Sequence, residues 1–125
     1  MDWRYDNSTD SFSLDIGEFI SARGILIADI TEAIYMVKAS RSDTDLAALA
    51  TLTIGNGITK VAAAGTEPDK LTIKFREADF GVGFLETDAP QYYTGAGIKI
   101  AGYTKYVEMD LADNRLVIIP DFIHD

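Results

Sequence analysis

The sequence contains no cysteine and a single histidine, His124, among its 125 residues. Without thiols the chain forms no disulfide bond and holds neither a cysteine-ligated zinc ion nor an iron–sulfur cluster. His124 stands one residue before Asp125, and terminal residues are usually too mobile to serve in a Ser-His-Asp triad. These scarcities exclude thiol chemistry and disfavour histidine-based catalysis.

Long apolar runs and basic residues are also scarce. No run approaches the roughly 20 apolar residues of a membrane-spanning helix, and the opening MDWRYDNSTD lacks the apolar core of a signal peptide. Eleven lysines and arginines face 20 aspartates and glutamates, which gives a net charge of −9. Because such a surface repels phosphates and anionic lipid, we expect no nucleic-acid or membrane partner. The lack of a signal peptide and of a membrane span predicts synthesis in the cytoplasm.

Hydrophobic residues make up 47% of the chain, enough for a packed core. The length is typical of one domain, and no linker, repeat or low-complexity tract divides it. We predict a single β domain over residues 11–125, preceded by a polar N-terminal arm over residues 1–10. Trp3 and Tyr5 lie in this arm, outside the patterned core, so they either dock on a partner or fold back on the domain.

Alternation of apolar and polar residues with a period of two dominates the chain. It predicts strands that begin near Phe12, Ile25, Ala33, Leu52, Ile58, Leu71, Tyr92, Tyr103 and Leu116. Ser42 and the acids that follow it predict a short helix as far as Leu49. Seven to nine short strands with one short helix are typical of an antiparallel β-sandwich or barrel.

The stretch GAGIKI, from Gly95 to Ile100, is the nearest match to a phosphate-binding loop. A dinucleotide fingerprint needs a third glycine where Ile100 stands, followed by a helix, whereas Ile98 and Ile100 continue a strand. Glycines that permit a bulge or a close approach of backbone explain the motif better. We therefore predict no cofactor site.

Three pairs of acids lie close together in the sequence: Asp43 with Asp45, Glu86 with Asp88, and Asp110 with Asp113. The first pair lacks the glycine and the final glutamate of an EF-hand calcium loop. Solvated acids in turns explain all three pairs. We therefore predict neither a metal site nor catalytic residues.

Four aromatic residues surround the long connection between the predicted strands: Phe80, Phe84, Tyr92 and Tyr93. They either cap one end of a sandwich or form an interface patch, because aromatic residues are enriched in protein interfaces. Together with Trp3 and Tyr5, they are the predicted protein-interface residues.

The segment ADITEAIYMVKAS resembles a pattern found in small phage virion domains. In that pattern an Asp-Leu-Thr-Gly-Ala-like turn, at Asp29–Ala33 in this sequence, leads into a strand that ends in a basic residue, Lys38. Later parts of the pattern correspond to the strand Leu71–Phe75, the acid-rich connection Glu77–Leu85, the pair Tyr92-Tyr93, and the closing Leu116–Asp121.

Over roughly Ser11 to Asp121, the chain thus resembles the immunoglobulin-like N-terminal domain of phage baseplate upper proteins and related tail or neck proteins. The resemblance implies an antiparallel immunoglobulin-like β-sandwich with no catalytic residues. It also implies a structural role in the virion of a tailed phage or prophage, made in the host bacterium, with other virion proteins and copies of itself as partners. A ligand- or carbohydrate-binding module is the alternative, and a small hydrolase is a third, which requires acids that converge in a cleft.

Overall fold

The computed structural model describes residues 2–4, 11–76, 79, 91–111 and 114–119. Its strands are β1 (Asp2–Arg4), β2 (Ser11–Asp15), β3 (Ile30–Lys38), β4 (Ala50–Ile54), β5 (Gly57–Val61), β6 (Lys70–Lys74), β7 (Gln91–Ile100), β8 (Val107–Met109) and β9 (Arg115–Ile119). Helical structure in these ranges consists of α1 (Gly17–Ser21) and 3₁₀ turns at Ile27–Asp29 and Asp45–Ala47. The predicted all-β class is confirmed.

The described strands form one mixed sheet in the order β1-β9-β7-β3-β4-β5-β6-β2. Neighbours are antiparallel except for the pairs β1–β9 and β4–β5, which are parallel. One edge of β7 carries two partners, since β9 pairs with Gln91–Tyr93 and β8 pairs with Ala96–Ile98. The sequence pattern predicted an antiparallel β-sandwich or barrel, whereas the described residues form a single mixed sheet.

Strands β4 and β5 are parallel because, after Ile54, the chain moves sideways to the neighbouring strand position without reversing its direction. We call this movement the sideways step. The Thr53 amide donates to the Asn56 carbonyl at 3.1 Å, and the Gly55 amide donates to the Ile58 carbonyl at 3.0 Å. Gly57 has φ +99°, and a Cβ there would lie 2.9 Å from Leu52 Cδ2 and 3.1 Å from the Lys74 carbonyl oxygen. Glycine therefore lets the chain step over and continue in the same direction.

The sheet curls into a half-barrel. Strands β1 and β2 lie at opposite ends of a path eight strands wide. In a flat sheet these ends would lie about 34 Å apart. Arg4 and Ser11 are only seven residues apart in the sequence, and a chain of that length spans at most about 25 Å. Covalent connectivity alone therefore brings the two ends of the sheet toward each other.

Three aromatic rings pack across the curl. Phe12 of β2 contacts Tyr35 of β3 with ring centroids 5.7 Å apart, although three strands separate β2 from β3 in the sheet. Phe75 contacts both rings, at 5.9 Å from Phe12 and 5.7 Å from Tyr35. Tyr35 and Phe75 are fully buried, so the core fills the concave face.

A β-bulge sets which residues of β3 face the core. The buried residues of this strand are Ile30, Ala33, Tyr35 and Val37. The spacing between Ile30 and Ala33 breaks the alternation because the register with β7 shifts between Ile30 and Glu32. The Thr31 hydroxyl donates to the Lys99 carbonyl at 3.1 Å within this bulge. Beyond it, Glu32 and every second residue lie on the convex face.

The helix lies outside the predicted segment. Between Ser42 and Leu49 the structure contains only the 3₁₀ turn, and Thr44 before it makes no side-chain capping bond. The α-helix instead follows β2, where the Gly17 amide donates to Asp15 Oδ1 at 2.9 Å. It is held to the core by Ile20, which is buried.

Two predicted strands also differ from the structure. The run from Ile25 lies in a loop and a 3₁₀ turn, because the Ile25 amide donates back to the Ile20 carbonyl at 2.9 Å instead of pairing with a strand. The predicted strand Tyr103–Leu111 is shortened to β8. At the N-terminus, Asp2–Arg4 of the predicted arm lie beside β9, and residues 5–10 lie outside the described residues.

Candidate functional site

A groove with a volume of about 430 Å³ crosses the convex face of β3 and β7. Its floor consists of Ile34 and Met36 from β3 and of Gly95 and Gly97 from β7. The register pairs Ile34 with Gly97 and Met36 with Gly95. Gly95 leaves open the space that a cross-strand side chain would otherwise fill, whereas the Val107 carbonyl and Tyr106 lie close to Gly97. The groove is therefore a direct consequence of this register.

Tyr93 and basic side chains form one end of the groove. Tyr93 pairs with Lys38 on β3 and with Arg115 on β9. The Arg115 guanidinium carbon lies 5.3 Å from the Tyr93 ring centroid, within the range of a cation–π contact. Lys38 Nζ donates to Asp45 Oδ1 at 2.8 Å and to the Asp43 carbonyl at 3.0 Å. Lys38 is thus held in place by the loop that follows β3.

Arg41 lines the same end and is exposed to solvent. Within the described part of the chain it forms neither an ion pair nor a hydrogen bond. Two basic residues, Lys38 and Arg41, line this end together with one acid, Asp45. This end is therefore locally positive on a chain whose net charge is −9.

Tyr106 and a charge pair form the opposite end. The Tyr106 hydroxyl donates to Glu32 Oε2 at 3.0 Å. Lys99 Nζ lies 3.0 Å from the same oxygen and 4.6 Å from the Tyr106 ring centroid. The hydrogen bond from Lys99, supported by the one from Tyr106, lowers the pKa of the Glu32 carboxyl. The same bond to Glu32 raises the pKa of Lys99. These contacts fix the position of the Tyr106 ring.

The two glycines of the floor differ in what the fold requires of them. A Cβ at Gly97 would lie 3.3 Å from the Val107 carbonyl oxygen and 3.4 Å from Tyr106 Cβ, so close packing explains this glycine. A Cβ at Gly95 would meet no atom within 4 Å, and Gly95 is not among the glycines with positive φ. Glycine inside a strand costs about 0.5–1 kcal/mol relative to alanine. Neither packing nor backbone conformation in the described residues explains Gly95.

The predicted interface residues have different locations. Tyr93 lies in the groove, whereas Tyr92 packs against the core. Trp3 lies in β1. The other three predicted residues lie outside the described ranges: Tyr5, Phe80 and Phe84.

The sequence prediction missed Tyr106, Arg41, Met36 and Gly95. These residues come from separate parts of the chain, and the register of β3 with β7 brings them together. One signal was present in the sequence: Tyr93, Gly95 and Gly97 alternate with Thr94, Ala96 and Ile98, so one face of this strand carries two glycines. A strand face without side chains indicates close approach of another group.

The acids singled out in the sequence do not form a shared cleft among the described residues. Asp45 pairs with Lys38, the Asp43 side chain accepts the Ser40 amide at 3.1 Å, and Asp110 is exposed. Glu86, Asp88 and Asp113 lie outside the described ranges. The part of the chain that the structure describes contains no cluster of three or more His, Cys, Asp or Glu residues suited to a metal. Nor does it contain a helix long and apolar enough to cross a membrane.

Comparison with known proteins identifies no relative: no protein-family model, curated protein or solved structure matches this chain. The groove has an apolar floor of two side chains and two glycines, an aromatic ring at each end, and a positive charge at one end.

Proposed function

We propose that this chain is a non-enzymatic structural protein of a tailed-phage or prophage virion. In this role it acts in a tail, baseplate or neck through contacts with other virion proteins and with copies of itself. The observation that carries the contact role is the groove, which combines Tyr93, Tyr106, Met36 and Arg41 around a glycine floor. Tyrosine, methionine and arginine are enriched in protein interfaces. The assignment to a virion rests on the sequence resemblance.

The ends of the sheet provide a second route to assembly. Among the described strands, β2 pairs only with β6 and β1 pairs only with β9. A strand paired on one side has backbone groups that are able to hydrogen-bond another chain. Copies of one chain that associate in this way form symmetric oligomers. These edges therefore suit self-association, while the groove suits a different partner segment.

We also propose that the curled sheet is a variant of the immunoglobulin-like sandwich that the sequence resembles. The sideways step at Gly55–Gly57 separates β5, β6 and β2 from β3 and β7, and the Phe12–Tyr35 contact joins the two parts. An experimental structure tests this proposal. Two facing layers about 10 Å apart are expected, and a solvent-filled opening between them would contradict the assignment.

Analysis of purified particles tests the proposed function. Particles of the phage or induced prophage that encodes this chain are purified on a density gradient and analysed by quantitative mass spectrometry. We expect the chain in a fixed ratio to the other virion proteins, and density for it in the cryo-electron microscopy map. Its presence in the lysate together with its absence from the particles would refute the proposal.

Carbohydrate binding is the second candidate, and the two tyrosines at the groove support it. Sugar rings stack on aromatic faces and hydrogen-bond to carboxylates, which Asp45 and Glu108 provide at this site. A glycan array tests this candidate directly. Binding that is lost in both Tyr93→Ala and Tyr106→Ala would support it, and the absence of any signal above background would exclude it for the glycans on the array.

A further inference from the structure

We propose that the groove binds an extended peptide segment of a partner protein through one aromatic side chain and one adjacent acidic side chain. The aromatic ring lies on Gly95, and the carboxylate pairs with Arg41. This inference rests on the protein-contact role proposed above and deepens it, since it states the chemistry of the segment that the groove accepts.

The floor of the groove favours an aromatic side chain in the bound peptide. Gly95 leaves open space above the sheet, because a Cβ there would meet nothing within 4 Å. The neighbouring side chains of Ile34 and Met36 are apolar and only partly buried. A flat ring covers the exposed backbone of a strand glycine and contacts both of these side chains at once, as aromatic residues do when they cover glycines in sheets.

The ends of the groove make the site preorganised. Tyr106 is held by its 3.0 Å hydrogen bond to Glu32 and by Lys99 beside its ring. Tyr93 is held by the guanidinium of Arg115. A ring that enters between the two tyrosines therefore meets walls that are already ordered, which reduces the entropy lost on binding.

The positive charge of Arg41 favours an acidic side chain in the bound peptide. Lys38 is already neutralised by Asp45 at 2.8 Å, whereas Arg41 has no ion pair within the described residues. Arginine binds carboxylates with two parallel hydrogen bonds. An acidic residue next to the aromatic one is therefore the group that this end of the groove selects.

Two other kinds of contact fit the groove less well. The groove lies on a sheet face, where β3 and β7 are already paired with each other, so a partner strand cannot add there by backbone hydrogen bonds. A sugar has hydroxyl groups around its ring that need hydrogen-bond partners, and the side chains of the four floor residues, Ile34, Met36, Gly95 and Gly97, offer no hydrogen-bond donor. A peptide segment with an aromatic side chain over the floor and an acidic side chain at the Arg41 end fits both the apolar floor and the positive end.

Titration of the isotope-labelled full chain with capped peptides tests the proposal by NMR. The probe is the tetrapeptide acetyl-Gly-Asp-Trp-Gly-amide, and the comparison peptides replace its tryptophan by alanine or its aspartate by lysine. We expect saturable shifts of the Gly95 and Gly97 amides with the probe. We expect affinity at least about tenfold weaker for each comparison peptide, a ratio that corresponds to about 1.4 kcal/mol.

Two variants locate the binding. Gly95→Val places a branched side chain on the floor, where a Cβ meets no atom within 4 Å. Arg41→Gln removes the charge, so each variant should weaken probe binding by about tenfold or more. Thr59→Val, at an exposed position of β5 away from the groove, is the matched control and should bind as the unmodified chain does. The spectrum of each variant without peptide verifies that it is folded.

Several results of these experiments would contradict the proposal. Equal binding of the alanine peptide, unchanged binding by the folded Gly95→Val variant, or no saturable shift would overturn it. A uronic acid disaccharide that shifts the groove amides while the probe does not would also overturn it, in favour of a carbohydrate site. Mass spectrometry of particles is independent of the groove, so failure of the proposed function is distinguishable from failure of this inference.

Discussion

At the scale of single residues, glycine has opposite effects at two positions of the sheet. Gly57 has φ +99°, and a Cβ there would lie 2.9 Å from Leu52 Cδ2. Gly95 has an ordinary strand conformation and open space where its Cβ would be. One glycine is required by the fold, and the other lowers the stability of the fold while it keeps the groove open.

The first prediction contrasts these two glycines. Gly57→Ala should lower the free energy of unfolding by about 1–3 kcal/mol, because it adds backbone strain and a clash. Gly95→Ala should leave that free energy unchanged or raise it by about 0.5–1 kcal/mol. Denaturant titration of both variants beside the unmodified chain measures the difference. Loss of stability in Gly95→Ala comparable to that in Gly57→Ala would contradict the packing described for β7.

The second prediction concerns pH and Glu32. Hydrogen bonds from Lys99 and Tyr106 lower the pKa of Glu32 below its ordinary value of 4.5, so the folded state favours the ionised carboxylate. The stability from this group is present above pH 4.5 and is lost as the pH falls through the lowered pKa. The stability difference between the unmodified chain and Glu32→Gln should therefore shrink as the pH is lowered below 4.5.

Denaturant unfolding at a series of acidic pH values measures this difference. Glu67→Gln is the control, because it removes an equal charge from an exposed acid that lies away from the groove. A direct measurement follows the Glu32 side-chain carboxyl by NMR, where Lys99→Met should bring the pKa back toward 4.5. A Glu32 pKa at or above 4.5 in the unmodified chain would contradict the described contacts.

At the scale of elements, β2 depends on its side chains to stay in place. Its backbone pairs only with β6 among the described strands. Phe12 and Leu14 pack against the core. The Phe12 ring reaches Tyr35 and Phe75 on the far side of the curled sheet. The edge strand is thus tied to β3 by aromatic packing and not by the hydrogen-bond ladder.

The third prediction follows from this link. Phe12→Ala should cost about 2–4 kcal/mol, because it removes most of a ring packed against the core. The loss should concentrate in β2 and β6, whose amides should exchange hydrogen much faster while those of β3 and β7 change less. Ser13→Ala, an exposed neighbour on the same strand, is the control. Uniform acceleration of exchange over the whole sheet would show that β2 does not open separately.

At the scale of the whole molecule, the net charge of −9 produces electrostatic repulsion between copies of the chain. A sheet with open edges tends to associate, and a large negative charge opposes this at neutral pH. One end of the groove, around Arg41, carries positive charge although the chain as a whole is negative. Long-range repulsion and local attraction therefore act on different parts of the surface.

The fourth prediction is a maximum of self-association near the isoelectric point of 4.4, where the net charge vanishes. Static light scattering over a pH series, with circular dichroism on the same samples, measures association while the fold is monitored. At neutral pH, added salt should increase association, because it screens the repulsion between copies. Scattering that is independent of both pH and salt would show that charge does not control association.

The sequence by itself determined the all-β class and most of the strands. Alternation with a period of two reports on faces of single strands, which is local information. It therefore located β2, β6, β7 and β9 to within a residue or two. The sequence patterns gave a wrong prediction at two places. The backbone hydrogen bond from Ile25 to Ile20 keeps the segment that begins at Ile25 out of the sheet. The acidic residues after Ser42 lie at a 3₁₀ turn and not in an α-helix.

Only the tertiary structure decided the mixed order, the curl and the groove. The sideways step at Gly57 makes β4 and β5 parallel, and no local pattern distinguishes that step from an ordinary hairpin turn. The groove depends on which residues of β3 lie opposite Gly95 and Gly97, and a shift of one residue would exchange the two faces. Register is a property of paired strands, so it is absent from the pattern of either strand alone.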